Sequence, residues 1–165
     1  LSTGDITPIS SGAILPYYHK GKFKIRKQEY STNVNLATSN KSDLETYSKS
    51  LLNTPYLWGG RGPSGIDCSG FSQLIFRLCG IKLPRDAYQQ AELGEIIKPT
   101  KSIIGDLAFF ENNMGKINHV GIVLEKNKII HSSGKVRIDE LNNNGIYNSD
   151  SKSITHSLAY IKRLF

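Results

Sequence analysis

At Gly105 the hydrophobic rhythm of this 165-residue chain changes. Downstream, DLAFFE (106–111), HVGIVLE (119–125), KIIHSS (128–133), KVRIDEL (135–141) and LAYIKRL (158–164) have strand length and a period near two. The turn at Lys126-Asn127-Lys128 is short enough for a hairpin, and the polar stretch Asn142–Ser153 reads as a loop. Upstream the spacing is helical. Leu44, Tyr47 and Leu51 form a stripe in SDLETYSKSLLN (42–53), with Ser42 as N-cap and Pro55 barring extension. Phe71, Leu74, Ile75, Leu78 and Cys79 recur at three- and four-residue steps in a helix that starts at Cys68 and stops at Gly80. A further short helix, PRDAYQQAEL (84–93), closes at Gly94. Helices followed by an antiparallel meander specify an α+β domain, with N-terminal helices packed on an antiparallel β-sheet.

The first 35 residues are organised differently. GAILPYY (12–18) and GKFKIRK (21–27) read as short strands separated by Gly and Pro, too few to close a small barrel. The division expected is therefore 1–35, a short β segment, and 36–165, the main domain. In HKGKFKIRK (19–27), Lys20, Lys22, Lys24 and Arg26 alternate with Gly21, Phe23 and Ile25 as one basic, solvated strand face. With a net charge of +7 such a face also suits an anionic polymer. No nucleic-acid-reading motif accompanies it, so no nucleic-acid partner is expected. The opening LSTGDITPIS reads as the interior of a longer product or as a mature chain. No apolar run approaches ~18 residues, so no membrane insertion is expected.

Cys68 and Cys79 are the only cysteines. On one helix they lie about 16 Å apart along its axis, beyond the roughly 7 Å that a disulfide spans. Two free thiols suit a reducing compartment or a cysteine kept reactive, and the compartment stays open. The chain has no CxxC, and His19, His119, His131 and His156 show no paired-ligand spacing, so no metal or other cofactor is expected. His19 and His156 read as surface residues and Cys79 as core.

Cys68 has a different setting, because it opens a helix after the glycine-rich loop WGGRGPSGI (58–66). A helix N-terminus favours thiolate and leaves backbone N–H groups free to hold an oxyanion. His119 and His131 lie on consecutive strands, His119 on the face of Gly121 and Val123, His131 on the face of Ile129. A short hairpin brings the two imidazoles together, one to pair with the thiol and one to orient its partner. The alternative is a small residue packed at a helix start and two satisfied histidines.

The segments PYLWGGRGPSGIDCSGFSQLIF, PRDAYQQ, GDLAFFE, HVGIVL and IIHSSG follow in an order that resembles the NlpC/P60 cysteine peptidases of bacterial cell-wall metabolism, from about Thr46 to the C-terminus. The resemblance implies a papain-like NlpC/P60 fold, with Cys68 as nucleophile, His119 as general base and His131 as the polar third member. It implies hydrolysis of the amide between the γ-carboxyl of D-glutamate and a diamino acid, diaminopimelate or lysine, in murein peptides. It also implies that Asp67, Ser69, Tyr56, Trp58, Arg85 and Asp86 line the substrate cleft. Asp67 resembles the aspartate that in one subgroup grips the free amine of L-alanine, which favours small turnover or recycling peptides. Relatives that require a free L-alanine amine carry bacterial SH3 domains ahead of the catalytic domain, one of which walls off the site. On the resemblance, segment 1–35 is expected to be a remnant, long enough for the last strands of such a domain and without that wall. A monomer with a murein peptide as its only partner is expected.

Alternatives remain for the cleft residues: Trp58 as a core aromatic, Asp67 as a helix cap, and Arg85 and Asp86 as a cap and surface pair. Asp106 reads as a turn carboxylate. Two further functions are open on the same residues, an amidase or acyltransferase on this fold and a non-catalytic wall-binding module.

Overall fold

The computed structural model describes residues 4 and 6–165. Residues 1–3 and 5, part of the stretch read as the interior of a longer product, lie outside the described residues. The first strands among the described residues form a hairpin of β1 (Lys22–Ile25) and β2 (Gln28–Ser31). Phe23 is buried and stacks on Tyr30, and Lys22 pairs with Glu29 at 3.1 Å. Lys20 and Arg26 adopt left-handed backbone (φ 45° and 55°), so only Lys22 and Lys24 of the basic alternation belong to a strand. GAILPYY forms no strand, a correction: Leu15 and Pro16 sit among turns, and Gly12 packs on Leu74 and Arg77 of the cysteine helix.

A 3₁₀ turn at Lys41–Asp43, capped by the Asn40 side chain rather than by Ser42, leads into α1 (Leu44–Ser50). The glycine-rich loop contains a minimal hairpin, β3 (Arg61–Gly62) with β4 (Gly65–Ile66). α2 (Cys68–Leu78) follows, with Phe71, Leu74, Ile75 and Phe76 buried along its apolar face. Full burial of each such side chain is worth about 1.5–3 kcal/mol. Gly80 ends α2 at φ 81°, with the Ile81 N–H bonded back to the Phe76 carbonyl. α3 is only Ala87–Gln90, much shorter than the span 84–93 expected.

Apart from a 3₁₀ turn at Pro99–Lys101, the regular structure that remains is sheet: β5 (Glu95–Ile97), β6 (Leu107–Glu111), β7 (Ile117–Leu124), β8 (Lys128–Ser133), β9 (Lys135–Asn142), β10 (Gly145–Asn148) and β11 (Ser153–Arg163). Their order is β10-β9-β8-β7-β6-β11-β5, and β10 also pairs with β11. The antiparallel strands β6 to β11 therefore curl until they meet, helped by a bulge at Ile146/Tyr147. The turn between β7 and β8 has Lys126 and Asn127 both at φ 57°, as a type I′ hairpin requires.

The pleat separates two cores. On the outer face Phe109, Val120, Ile122 and Ile130 pack with α1 and α2. Inside the curl lie Phe110, Val123, Ile129, Leu141 and Ile146. The α+β class and the packing of the N-terminal helices on an antiparallel sheet are as expected. The supposed loop Asn142–Ser153 is corrected: it contains β10.

Candidate active site

Cys68 is placed by backbone on backbone. The Asp67 N–H donates to the Gly60 carbonyl, and a side chain at Gly60 or Gly70 would collide with the carbonyl of Gly65 or Gly60 respectively. Only glycine lets the loop lie this close to the helix start. Asp67 is the N-cap: its Oδ1 accepts from the Gly70 N–H at 2.7 Å, and its Oδ2 from the Gly59 N–H at 2.8 Å. Arg85 grips the same carboxylate with both terminal nitrogens and also donates to the Ser69 hydroxyl at 2.8 Å. Burial opposes the charge on Asp67, but these bonds outweigh it and hold the carboxyl below its ordinary value.

The Cys68 thiol is 8% exposed and meets the backbone N–H of Val120, the residue after His119 on β7. Burial, aided by the Asp67 charge, pushes its pKa up, although the N–H groups of Val120, Ser69 and Cys68 itself pull the other way. Burial outweighs the activation expected from the helix start. The resting side chain is a thiol and needs a base.

β7 and β8 supply the two histidines on one face, inside the curl. Gly121 lies opposite His131 in the register, and a Cβ at Gly121 would meet the Ile129 side chain at 2.6 Å and the His131 Cβ at 2.9 Å. That gap lets His131 lean to His119. His119 Nε2 and His131 Nδ1 are 2.8 Å apart, and His131 Nε2 lies 3.0 Å from Asp139 Oδ2. Asp139 (β9) is buried, and Arg137 Nη2 donates to its Oδ1 at 2.9 Å and to Asp150 at 2.8 Å. Burial raises the Asp139 pKa, but the bonds from His131 and Arg137 outweigh it and hold the carboxyl below its ordinary value.

An ionised Asp139 only accepts, so His131 Nε2 carries a proton. In neutral His131, Nδ1 is then an acceptor and His119 Nε2 the donor, which leaves the Nδ1 lone pair of His119 to take a proton. Burial first, then the neighbouring His131 and His156, depress the His119 pKa well below its ordinary value, so it is neutral near pH 7.

Sequence reasoning missed two members of this constellation. Asp139 was passed over on β9, where charged neighbours suggest a solvated strand. His156 was read as a surface residue and is corrected: β11 starts early enough to carry it onto His119, ring centroids 4.1 Å apart and planes inclined by 31°. Burial, with His131 beside it, lowers its pKa to about 4.

The cleft residues sort as follows. Burial first, then the nearby Cys68 and Asp67 groups, raise the phenol pKa of Tyr56, with Arg85 opposing. Trp58 is 86% exposed, which excludes a core role. Ser69 is tied to Arg85, and Asp86 sits at the N-cap of α3 with its N–H on Gln89 Oε1. Buried Gln90 fastens α3 to α2 by donating to the Ser69 carbonyl and accepting from Ser72. Asp106 takes the Ile103 N–H and pairs with Arg163, the turn carboxylate expected. Among the described residues no group of three or more His, Cys, Asp or Glu side chains is disposed to hold a metal ion.

The profile of the NlpC/P60 family matches residues 53–154, which include the site from Tyr56 to Asp139. The chain is 44% identical over 84 residues to a gamma-D-glutamyl-L-lysine dipeptidyl-peptidase of Bacillus subtilis, covering 50% of this chain and 28% of that protein. It is 33% identical over 138 residues to the protein of the same name from Bacillus cereus, covering 81% and 41% respectively. It thus spans less than half the length of either relative. A crystal structure of an NlpC/P60 family protein from Bacillus cereus superposes with a TM-score of 0.68 at 26% identity, over 91% of this chain and 52% of that one. Fold, motif order and profile agree: the chain belongs to the NlpC/P60 family.

Proposed function

We propose that this chain is a cysteine peptidase of murein peptides, cleaving the amide between the γ-carboxyl of D-glutamate and a diamino acid. The observation that carries the proposal is the buried relay of hydrogen bonds from Asp139 through His131 to His119, with the Cys68 thiol on the N–H of Val120, the next residue along β7. His119 Nδ1 takes the thiol proton as the sulfur bonds to the substrate carbonyl carbon. The imidazolium so formed donates through Nε2 to His131, whose other nitrogen rests on a carboxylate, so the new charge is compensated along a dry path. The tetrahedral oxyanion is held by N–H groups at the α2 start and by the Tyr56 hydroxyl. The carbon–nitrogen bond breaks as His119 protonates the departing amine, and water, deprotonated by His119, releases the acyl group from Cys68.

The bond assigned follows the two Bacillus relatives, both named for the γ-D-glutamyl-L-lysine linkage. A preference for a free L-alanine amine is the finer part of the proposal. It rests on Asp67, whose carboxylate beside Cys68 suits an ammonium. Arg85 already neutralises it, so an incoming amine has to share that carboxylate. A panel of stem peptides with the L-alanine amine free or blocked, followed by product mass spectrometry, tests both parts. Equal cleavage of free and blocked stems removes the role of Asp67; no cleavage at γ-D-glutamyl bonds removes the function.

A further inference from the structure

A leaving amine must reach the imidazolium that protonates it, so the part of a peptide that departs lies on the His119 side of the site. The acyl part lies on the side of Tyr56, Asp67 and Arg85. On the His119 side the ring of His156 covers the base, and a pocket of about 320 Å³ opens against His156. That volume is near the lower end for a small-molecule site. Its walls include Glu111 at the end of β6, Asn118, Met114, and Thr155 on β11.

The charge inside is one-sided. Glu111 is half-buried and has no ion-pair partner among the described residues, and no lysine or arginine lines the pocket. His156 is neutral near pH 7, since its pKa lies near 4. Asn118 and Thr155 add neutral acceptors, and the exposed Met114 offers an apolar surface for a methylene chain.

Resting on the peptidase assignment above, we propose that this pocket receives the side chain of the residue on the leaving side of the cleaved bond, and that Glu111 selects an aliphatic chain ending in an ammonium. Lysine fits that description with a net positive tip. Diaminopimelate ends in an ammonium and a carboxylate together, and the carboxylate meets Glu111 as a like charge.

The test compares L-Ala-γ-D-Glu peptides ending in lysine, in the neutral isostere norleucine, or in diaminopimelate. Hydrolysis by the wild-type chain reads the reaction. Calorimetric binding to Cys68→Ala, with and without Glu111→Gln, reads the pocket independently of turnover. One ammonium on a half-buried carboxylate is worth about tenfold in affinity. The Cys68→Ala chain is therefore expected to bind the lysine peptide about tenfold tighter than the norleucine peptide, with diaminopimelate between them. Glu111→Gln should bring the three together. Equal affinities before Glu111 is changed, or a lysine preference that survives Glu111→Gln, overturns the pocket whether or not the wild type cleaves. Tight lysine binding without hydrolysis by the wild type overturns the peptidase assignment alone.

Discussion

Replacing Asp139 by Asn removes one negative charge from the far end of the relay and leaves its shape nearly intact. Asp139 is 4% exposed and lies 3.0 Å from His131 Nε2. A hydrogen bond to a charged acceptor in such a setting is worth about 1.5–3 kcal/mol. That charge matters most when His119 is protonated, because it compensates the imidazolium through His131. The loss should therefore fall on the transition state, as a decrease in kcat/KM of about ten- to hundredfold. KM should change little, since Asp139 touches no substrate. The sign of the pH effect follows from the same charge. A carboxylate favours the protonated imidazole, so its removal lowers the basicity of the coupled histidines. The acid limb of the kcat/KM profile should then move to lower pH in Asp139→Asn. Stopped assays across pH 4–9 measure this, with thermal melting to establish folding. A folded variant with unchanged kcat/KM, or an acid limb moved upward, refutes the reasoning.

Gly121→Ala places a methyl against Ile129 and the His131 Cβ; overpacking there should cost about 1–3 kcal/mol and displace His131, read as a lower Tm with a lower kcat, and an unchanged variant would contradict the role of the gap. His119 and His156 have depressed pKa values when folded, so the unfolded chain binds more protons below the ordinary histidine value of 6.5. Stability should fall as the pH drops from 6.5 towards 4, and less steeply in His156→Gln; equal slopes in pH-dependent melts would remove His156 from the linkage. Asp67 and Asp139 are depressed carboxyls, whose contribution is present above their ordinary value of 3.8 and lost on acidification through the folded values. Asp67→Ala should lower Tm through loss of the cap, about 1 kcal/mol, and of the Arg85 pair, whereas Trp58→Ala on an exposed loop should stay within about 0.5 kcal/mol of wild type.

The parts of the fold legible in the sequence were those with a long enough period to count. The α2 stripe and the strands β6 to β9 each repeat a pattern over several residues. β5 is three residues with no alternation, and β10 lies in an Asn- and Ser-rich stretch whose composition resembles a loop. Both exist because neighbouring strands offer hydrogen bonds, which is tertiary information. α3 ends early because the backbone tightens after Ala91, where the Glu92 and Leu93 N–H groups bond to the carbonyls three residues back rather than four.

The same distinction holds at the site. Cys68, His119 and His131 stand out because helix start and strand parity put them on converging surfaces. Asp139 occupies the inward parity of β9 with Leu141, but its neighbours Ile138 and Glu140 disguise that face. The register, which sets His131 against Arg137 and Ile129 against Asp139, reveals it. His156 was hidden because β11 begins at Ser153, ahead of the apolar residues that mark the strand.

The central claim is that Cys68 breaks the γ-D-glutamyl amide with its proton passed to His119. Mass spectrometry of L-Ala-γ-D-Glu-L-Lys after incubation with the wild-type chain and with Cys68→Ala tests it most directly. The wild type should release L-Ala-γ-D-Glu and free lysine, and Cys68→Ala should leave the peptide intact. Release of the same products by Cys68→Ala, or an intact peptide after incubation with the wild type, would contradict the account.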